Sequence, residues 1–234
     1  MNQGKLILIP NLLGDSNYKD AINEKIIQTI KETNFFIVEN VRTVRRYIKK
    51  IVPEKSIDDI TFFSYGKHDN LDLQNDVLQN ILNGNDIGLI SEAGVPAVAD
   101  PGSKIIDYAH KFNIKVKPLV GPSSILLAIM SSGMNGQNFA FNGYLPINNK
   151  EQIKKIKQLE SLSKKTGQTQ IFMETPYRNN KLLKTLTNVC GNNTMLCVAS
   201  NITQENESII TKSISEWKTM KINIDKQPSI FLIS

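Results

Sequence analysis

The sequence predicts an α/β protein of two domains, a mostly parallel five-stranded sheet in the first and a mixed sheet in the second. Three observations lead there. Short apolar runs alternate with helical patterns through the first half. A polar stretch with two glycines, "SSGMNGQN" at 131–138, interrupts that alternation. Beyond it the runs "TMLCVAS", "ESIITKS" and "PSIFLIS" follow closely enough to pair as hairpins.

In the first half the runs "KLILIP", "NFFIVEN", "ITFFSY", "DIGLIS" and "IKVKPLV" are short, branched or aromatic, and bounded by Gly, Pro, Asn or Asp. Between them helices are expected at 19–32, 41–51, 71–83 and 103–112, then one at 122–132 closing near Gly133. Apolar strands alternating with helices imply a sheet covered on both faces. Ligands of such sheets sit beyond the carboxyl ends of the strands. In the second half "FAFNGYLP" and "QIFME" read as strands, and 149–165 as a Lys-rich amphipathic helix. "PYRNNKLLKTLTNV" reads as a helix with Pro176 in its first turn. The expected domains are residues 1–135 and 136–234.

Composition narrows the classes. The 234 residues are 40% hydrophobic and 21% charged, enough for a core and too balanced for disorder. No apolar run reaches the roughly 18 residues that cross a bilayer. "MNQGKLILIP" is a poor signal peptide, so a soluble, cytoplasmic protein is expected. Cys190 and Cys197 read as buried free thiols, and with two histidines no metal site is expected. Residues 1–137 carry 15 basic and 15 acidic side chains, residues 138–234 carry 13 and 7, so the second half holds the whole +6. That distribution suits contact with a polyanion, or a plain lysine-rich surface.

"SEAGVPAVADPG", 91–102, leaves the fourth strand where a parallel sheet presents its ligand site. Ala93, Gly94, Val95 and Pro96 add no bulk that would hold a flat adenine or ribose away from the backbone. The plainer reading is a tight strand-to-helix turn, with Asp100 as N-cap and Pro101 opening the helix. Neither GxxxxGK[ST] nor GxGxxG occurs.

Taken in order, "LILIPNLLGD", "FFIVENVRTVRRYIKK", "SYGKHDN", "LISEAGVPAVADPG", "LVGPSSILLAIMSSG", "FAFNGYLP" and "IFMETPYRN" resemble the bacterial 16S ribosomal RNA cytidine 2'-O-methyltransferases of the tetrapyrrole methylase superfamily. The resemblance runs from about residue 5 to the end of the sequence. It implies two α/β domains with S-adenosyl-L-methionine in the cleft between them, an RNA substrate from the small ribosomal subunit, and a homodimer. It further implies that Leu13, Glu92, Ala93, Gly94, Val95, Val98, Ser123, Ser124 and Met173 line the cofactor.

A ribose hydroxyl is far from ionised at neutral pH, so a base or strong hydrogen-bond acceptor would assist its methylation. Candidates for catalysis are Glu39, Arg42, His68 and Arg178, with Glu92, Asp100 and Glu174 as further carboxylates. Each also has a bland reading. Glu39 could pair with Arg42 or Arg45 and His68 could lie on an ordinary surface, while Arg178 could anchor Glu174 or bind phosphate. Arg45, Arg46, Lys49 and Lys50 form a basic strip, either solvated or against RNA backbone.

Four departures bear on the substrate. "PNLLGDS" stands where a TPIGN-like run is usual, Glu92 where Asp is usual, and "ENVRT" where EDTRH is common. The sequence ends at "IFLIS", where the ribosomal RNA enzymes continue into a small helical segment. A small heterocycle as substrate, or an RNA-binding relative without catalysis, are the competing readings.

Overall fold

The computed structural model describes residues 3–65 and 71–234; His68 lies outside them. The chain forms two compact units, Met1–Ser123 and Ser124–Ser234. In the first, β1 (Leu6–Ile9), β2 (Phe35–Val38), β3 (Thr61–Ser64), β4 (Ile87–Ile90) and β5 (Val116–Pro118) form an all-parallel sheet in the order β3-β2-β4-β1-β5. All four residues of β4 are buried, as a strand covered on both faces requires.

Helices α2 (Glu24–Glu32) and α3 (Val41–Ile51) cover one face through Ile26, Ile30, Val44, Tyr47 and Ile48. On the other, α4 (Gln79–Leu82) and α5 (Ser103–Lys111) contribute Ile81, Ile105 and Ala109. The centre of the sheet is packed closely at Gly88. A Cβ there would stand 2.7 Å from Ile9 Cδ1 and 2.8 Å from the ring of Phe36.

Two expected helices are redrawn, and the one expected over 103–112 keeps its place as α5. The pattern over 19–32 breaks into α1 (Tyr18–Ala21) and α2, because the Asn23 side chain accepts from Ile26 N–H and caps a new helix. The stretch over 71–83 is wound as a π-helix at Leu73–Leu78 before α4. The helix after β4 opens at Ser103, not at Asp100-Pro101, with Gly102 in the cap position at φ 130°.

The second unit carries α6 (Ser124–Ser132), β6 (Phe139–Tyr144), α7 (Asn149–Thr166), β7 (Thr169–Met173), α8 (Asn179–Val189), β8 (Met195–Ser200), β9 (Ser208–Ser213), α9 (Ile214–Trp217) and β10 (Ser229–Ile233). Its mixed sheet runs β6-β7-β10-β8-β9, parallel between β6 and β7 and antiparallel elsewhere. α6 belongs to this unit because it packs on β8, β9 and β10, and Thr211 Oγ1 donates to Ser132 O at 2.8 Å. Trp217 is buried, its indole N–H donating to Leu196 O at 2.8 Å. Cys190 and Cys197 are buried free thiols in the same unit.

Gly88→Ala forces the Phe36 ring and Ile9 aside, and overpacking a close-packed site costs about 1–3 kcal/mol. Earlier hydrogen exchange of the β1, β2 and β4 amides is the expected readout.

Candidate functional site

In the first unit β2 leads outward to β3, whereas its neighbour β4 leads the opposite way, past β1, to β5. Adjacent strands whose connections diverge leave a crevice at their carboxyl ends. Glu39 follows β2 there, and Ser91 and Glu92 follow β4. The segment after β4 is held by the loop after β1. Asn11, 4% exposed, donates its backbone N–H to Gly94 O at 2.8 Å. Its side-chain amide donates to Ser91 O and Glu92 O, both at 3.0 Å. Gly94 N–H returns to Leu12 O at 3.3 Å.

Four residues of the segment have positive φ: Gly94 at 66°, Ala97 at 63°, Ala99 at 61° and Gly102 at 130°. For the two alanines this is a strained conformation, of the kind that accumulates at ligand-holding loops. At Gly94 a Cβ would stand 3.0 Å from Leu13 Cδ2 and 3.2 Å from Pro122 O, so glycine lets the loops after β1, β4 and β5 meet. The backbone N–H groups of Ala93 and Val95 find no acceptor among the described residues. Ala93 and Val98 are exposed, Val95 half-buried and Ser123 buried. Ser124 opens α6 and Met173 ends β7, both in the second unit.

The crevice is acidic. Burial, then the Glu39 charge, pushes the Asp100 carboxyl up to about 6, against a hydrogen bond from Ser91. Burial and the charges of Glu39 and Asp100 also raise Glu92, partly offset by a hydrogen bond with Thr43. Tyr65, whose hydroxyl donates to Pro101 O at 3.4 Å, is kept protonated by burial and by the same three carboxylates. Among the described residues no ion pair joins Glu39 to Arg42 or Arg45; Arg45 lies over the Phe62 ring, 5.4 Å from its centroid.

The basic strip on α3 divides. Lys49 Nζ donates to Pro53 O and Lys55 O, and Lys50 is paired with Asp15 at 2.9 Å. Arg42 and Arg46 are exposed and join no ion pair among the described residues. Two cavities open on this edge. One of about 560 Å³ lies against Tyr65, Pro101 and Gly102. The other, about 380 Å³, brings Leu13, Glu92 and Ala93 together with Thr43, Arg46 and Tyr47.

Arg178 belongs to the other unit. There its guanidinium donates to the buried Glu174 at 2.5 Å. Among the sequence candidates, then, Leu13, Glu39, Glu92, Ala93, Gly94 and Val95 gather at one sheet edge. Asn11, Thr43 and Tyr65 join them there without having been singled out. Only the position of Asn11 behind a strand-ending proline hinted at a turn role.

The profile of the Tetrapyrrole (Corrin/Porphyrin) Methylases matches residues 17–218. "Ribosomal RNA small subunit methyltransferase I" of Vibrio cholerae serotype O1 is 27% identical over 231 residues, 97% of this chain and 76% of that protein. The protein of the same name from Bacillus subtilis is 29% identical over 92% of this chain and 69% of its own length. That from Thermotoga maritima is 25% identical over 91% and 90%. Among solved structures, the methyltransferase CobJ superposes with a TM-score of 0.64 at 16% identity, covering 99% of this chain and 94% of its own. The cobalt precorrin-4 methyltransferase CbiF gives 0.64 at 15% identity, with 98% and 94% covered. At these identities the structures show the fold.

Because its folded pKa lies above the ordinary value of 3.8, Asp100 favours folding when protonated and loses that contribution as pH rises through about 6. Asp100→Asn should therefore raise the melting temperature above pH 6, with the advantage vanishing as pH falls toward 4. Thermal melts across that range check it.

Proposed function

From the premise that this chain belongs to the tetrapyrrole methylase family, we propose that it is an S-adenosyl-L-methionine-dependent methyltransferase acting on a ribose 2'-hydroxyl of small-subunit ribosomal RNA. The observation that carries the reading is the segment after β4. It is poor in side-chain chemistry, strained at two alanines, and fastened to the loops after β1 and β5 with backbone donors left over. Such a surface suits a ligand recognised by its shape and by main-chain hydrogen bonds. Leu13, Ala93, Gly94, Val95, Val98 and Ser123 are the residues assigned to hold it in the first unit. The relatives named as ribosomal RNA methyltransferases support the RNA substrate.

Bound S-adenosylmethionine supplies a methyl group already activated by its positive sulfur. The chain's own task is to align the hydroxyl oxygen behind that methyl and keep water out. It must also take the hydroxyl proton as the new O–C bond forms. Glu39 and Asp100 stand at the carboxyl ends of β2 and β4 for that last role. The Asp100 carboxyl, held near 6, is a stronger proton acceptor than an ordinary carboxylate. Arg42 and Arg46, exposed on α3, are positioned for phosphate contact, which makes affinity fall with salt. A cytoplasmic location and a homodimer belong to the same reading.

The test is transfer of labelled methyl from S-adenosylmethionine to 30S subunits from a strain lacking this gene. Label is expected on 16S rRNA; label only on a corrin or porphyrin precursor would replace the substrate. Ala93→Trp places a bulky ring on an exposed position of the segment. It should abolish cofactor binding in calorimetry while leaving the circular dichroism spectrum unchanged.

A further inference from the structure

Helices α7 and α8 form one layer over the core of the second unit, through Ile156, Leu159, Leu182 and Leu186. They lie side by side and parallel. Near the start of α7, Gln152 lines a small cleft with Lys181 and Leu182 from the start of α8. At the far end Glu160 accepts from the backbone N–H of Gly191, just past α8, at 2.7 Å. At about 100° per residue, Lys150, Lys154, Lys157, Lys164 and Lys165 fall within an arc of about 100° on α7. The buried Gln152, Ile156, Leu159 and Ser163 take the opposite side. The lysine arc runs for about 22 Å at the helical rise per residue. Lys181 and Lys184, both exposed, add to it from α8. The two helices carry six and two lysines, against Glu151 and Glu160 alone.

Elsewhere on this protein surface lysines have acids to meet: Lys5, Lys31, Lys50 and Lys111 each close on an Asp or Glu. On α7 Lys164 does so with Glu160. Lys150, Lys154, Lys157 and Lys165 are exposed and join no ion pair among the described residues. Like charges at 150 and 154, and at 154 and 157, are neighbours on the helix and work against it. Lys150 also stands in the first turn, at the positive end of the helix dipole. A bound polyanion relieves both repulsions. Resting on the RNA methyltransferase reading, we propose that the α7–α8 face grips the phosphate backbone of a duplex stem of the substrate RNA. Lysines meet phosphates as point charges and position the RNA without reading its sequence. Neither helix has an aromatic residue on which unpaired bases would stack. The apolar side of α7 is buried in the core, so this face lacks the apolar half with which a helix enters a lipid surface. A-form stems are recognised by shape and backbone, which suits a straight row of cations. The contact is separate from the arginines of α3, which belong to the first unit.

The experiment titrates the full chain with an RNA duplex of arbitrary sequence, about 16 base pairs long, from low to high salt. In parallel it measures kcat and KM for methyl transfer to 30S subunits. Wild type is compared with Lys154→Gln/Lys157→Gln/Lys165→Gln and with Lys25→Gln/Lys111→Gln/Lys115→Gln, which removes equal charge from exposed positions of the first unit. The α7 variant should lower the slope of log affinity against log salt by about 2–3. It should also raise KM several-fold with kcat unchanged, while the first-unit variant matches wild type in both. An α7 variant that matches wild type overturns the inference. Equal losses in the two variants reduce the effect to net charge and overturn it as well. In either case label on 16S rRNA leaves the proposed function standing. Tighter binding of single-stranded RNA of the same length, or of phosphatidylserine vesicles, that is lost in the α7 variant replaces the duplex and so overturns it too. Wild type labelling no RNA removes both. Glutamine keeps the helix propensity of these exposed positions. Should the triple variant still not fold, Lys157→Gln alone decides: it should lower the slope by about 1, and an unchanged slope rejects the contact.

Discussion

One buried amide holds the first unit's ligand edge together. Asn11 spends its backbone N–H and both hydrogens of its side-chain amide on the carbonyls of Gly94, Ser91 and Glu92. Its own Oδ1 accepts from Leu12 N–H at 2.8 Å. A strand-to-helix segment with small side chains cannot hold itself in shape by packing. Three carbonyls fixed from one neighbouring loop do so instead, and the positive φ of Ala97 and Ala99 survives because both flanks are pinned. Shape here is imposed from β1 on the end of β4. The two strands are adjacent in the sheet, although about 80 residues separate the hydrogen-bonded groups.

The same edge concentrates like charge. Glu39 raises the proton affinity of Asp100, the two together raise that of Glu92, and all three raise that of Tyr65, while no ion pair among the described residues joins them to a cation of α3. Carboxylates left uncompensated near strand ends reduce stability and are held there by the core beneath them. Perturbed groups clustered at a crevice are the physical mark of a site whose chemistry concerns protons or donors. Arg42 and Arg46, exposed on the helix beside them, give the opening opposite charges on adjoining sides.

Much of the architecture is legible in the sequence because it depends on short-range pattern. Short apolar runs mark strands, and "IGLI" is apolar throughout because β4 is covered on both faces. The failures are of another kind. Asp100-Pro101 has the local signature of a helix start, yet Asp100 turns its carboxyl to Ser91 and the chain uses Gly102 to start later. Asn23 looks like a polar residue on one long helix. Its side chain instead caps α2 and donates to Val120 O, a partner that no local window contains. Asn11 and Thr43 escape for the same reason: their roles are set by residues far along the chain. For Glu92 the motif located the residue, while which neighbour it faces was decided by α3.

The placement of Trp217, Cys190 and Cys197 has a practical corollary. They are the chain's sole tryptophan and its entire complement of thiols, and all three are buried in Ser124–Ser234. Indole fluorescence and thiol-alkylation rates thus see that unit alone, while Met1–Ser123 is optically silent except for tyrosine. Unfolding followed by both probes against total helical ellipticity therefore separates the cooperativity of one unit from that of the whole chain, with no label introduced.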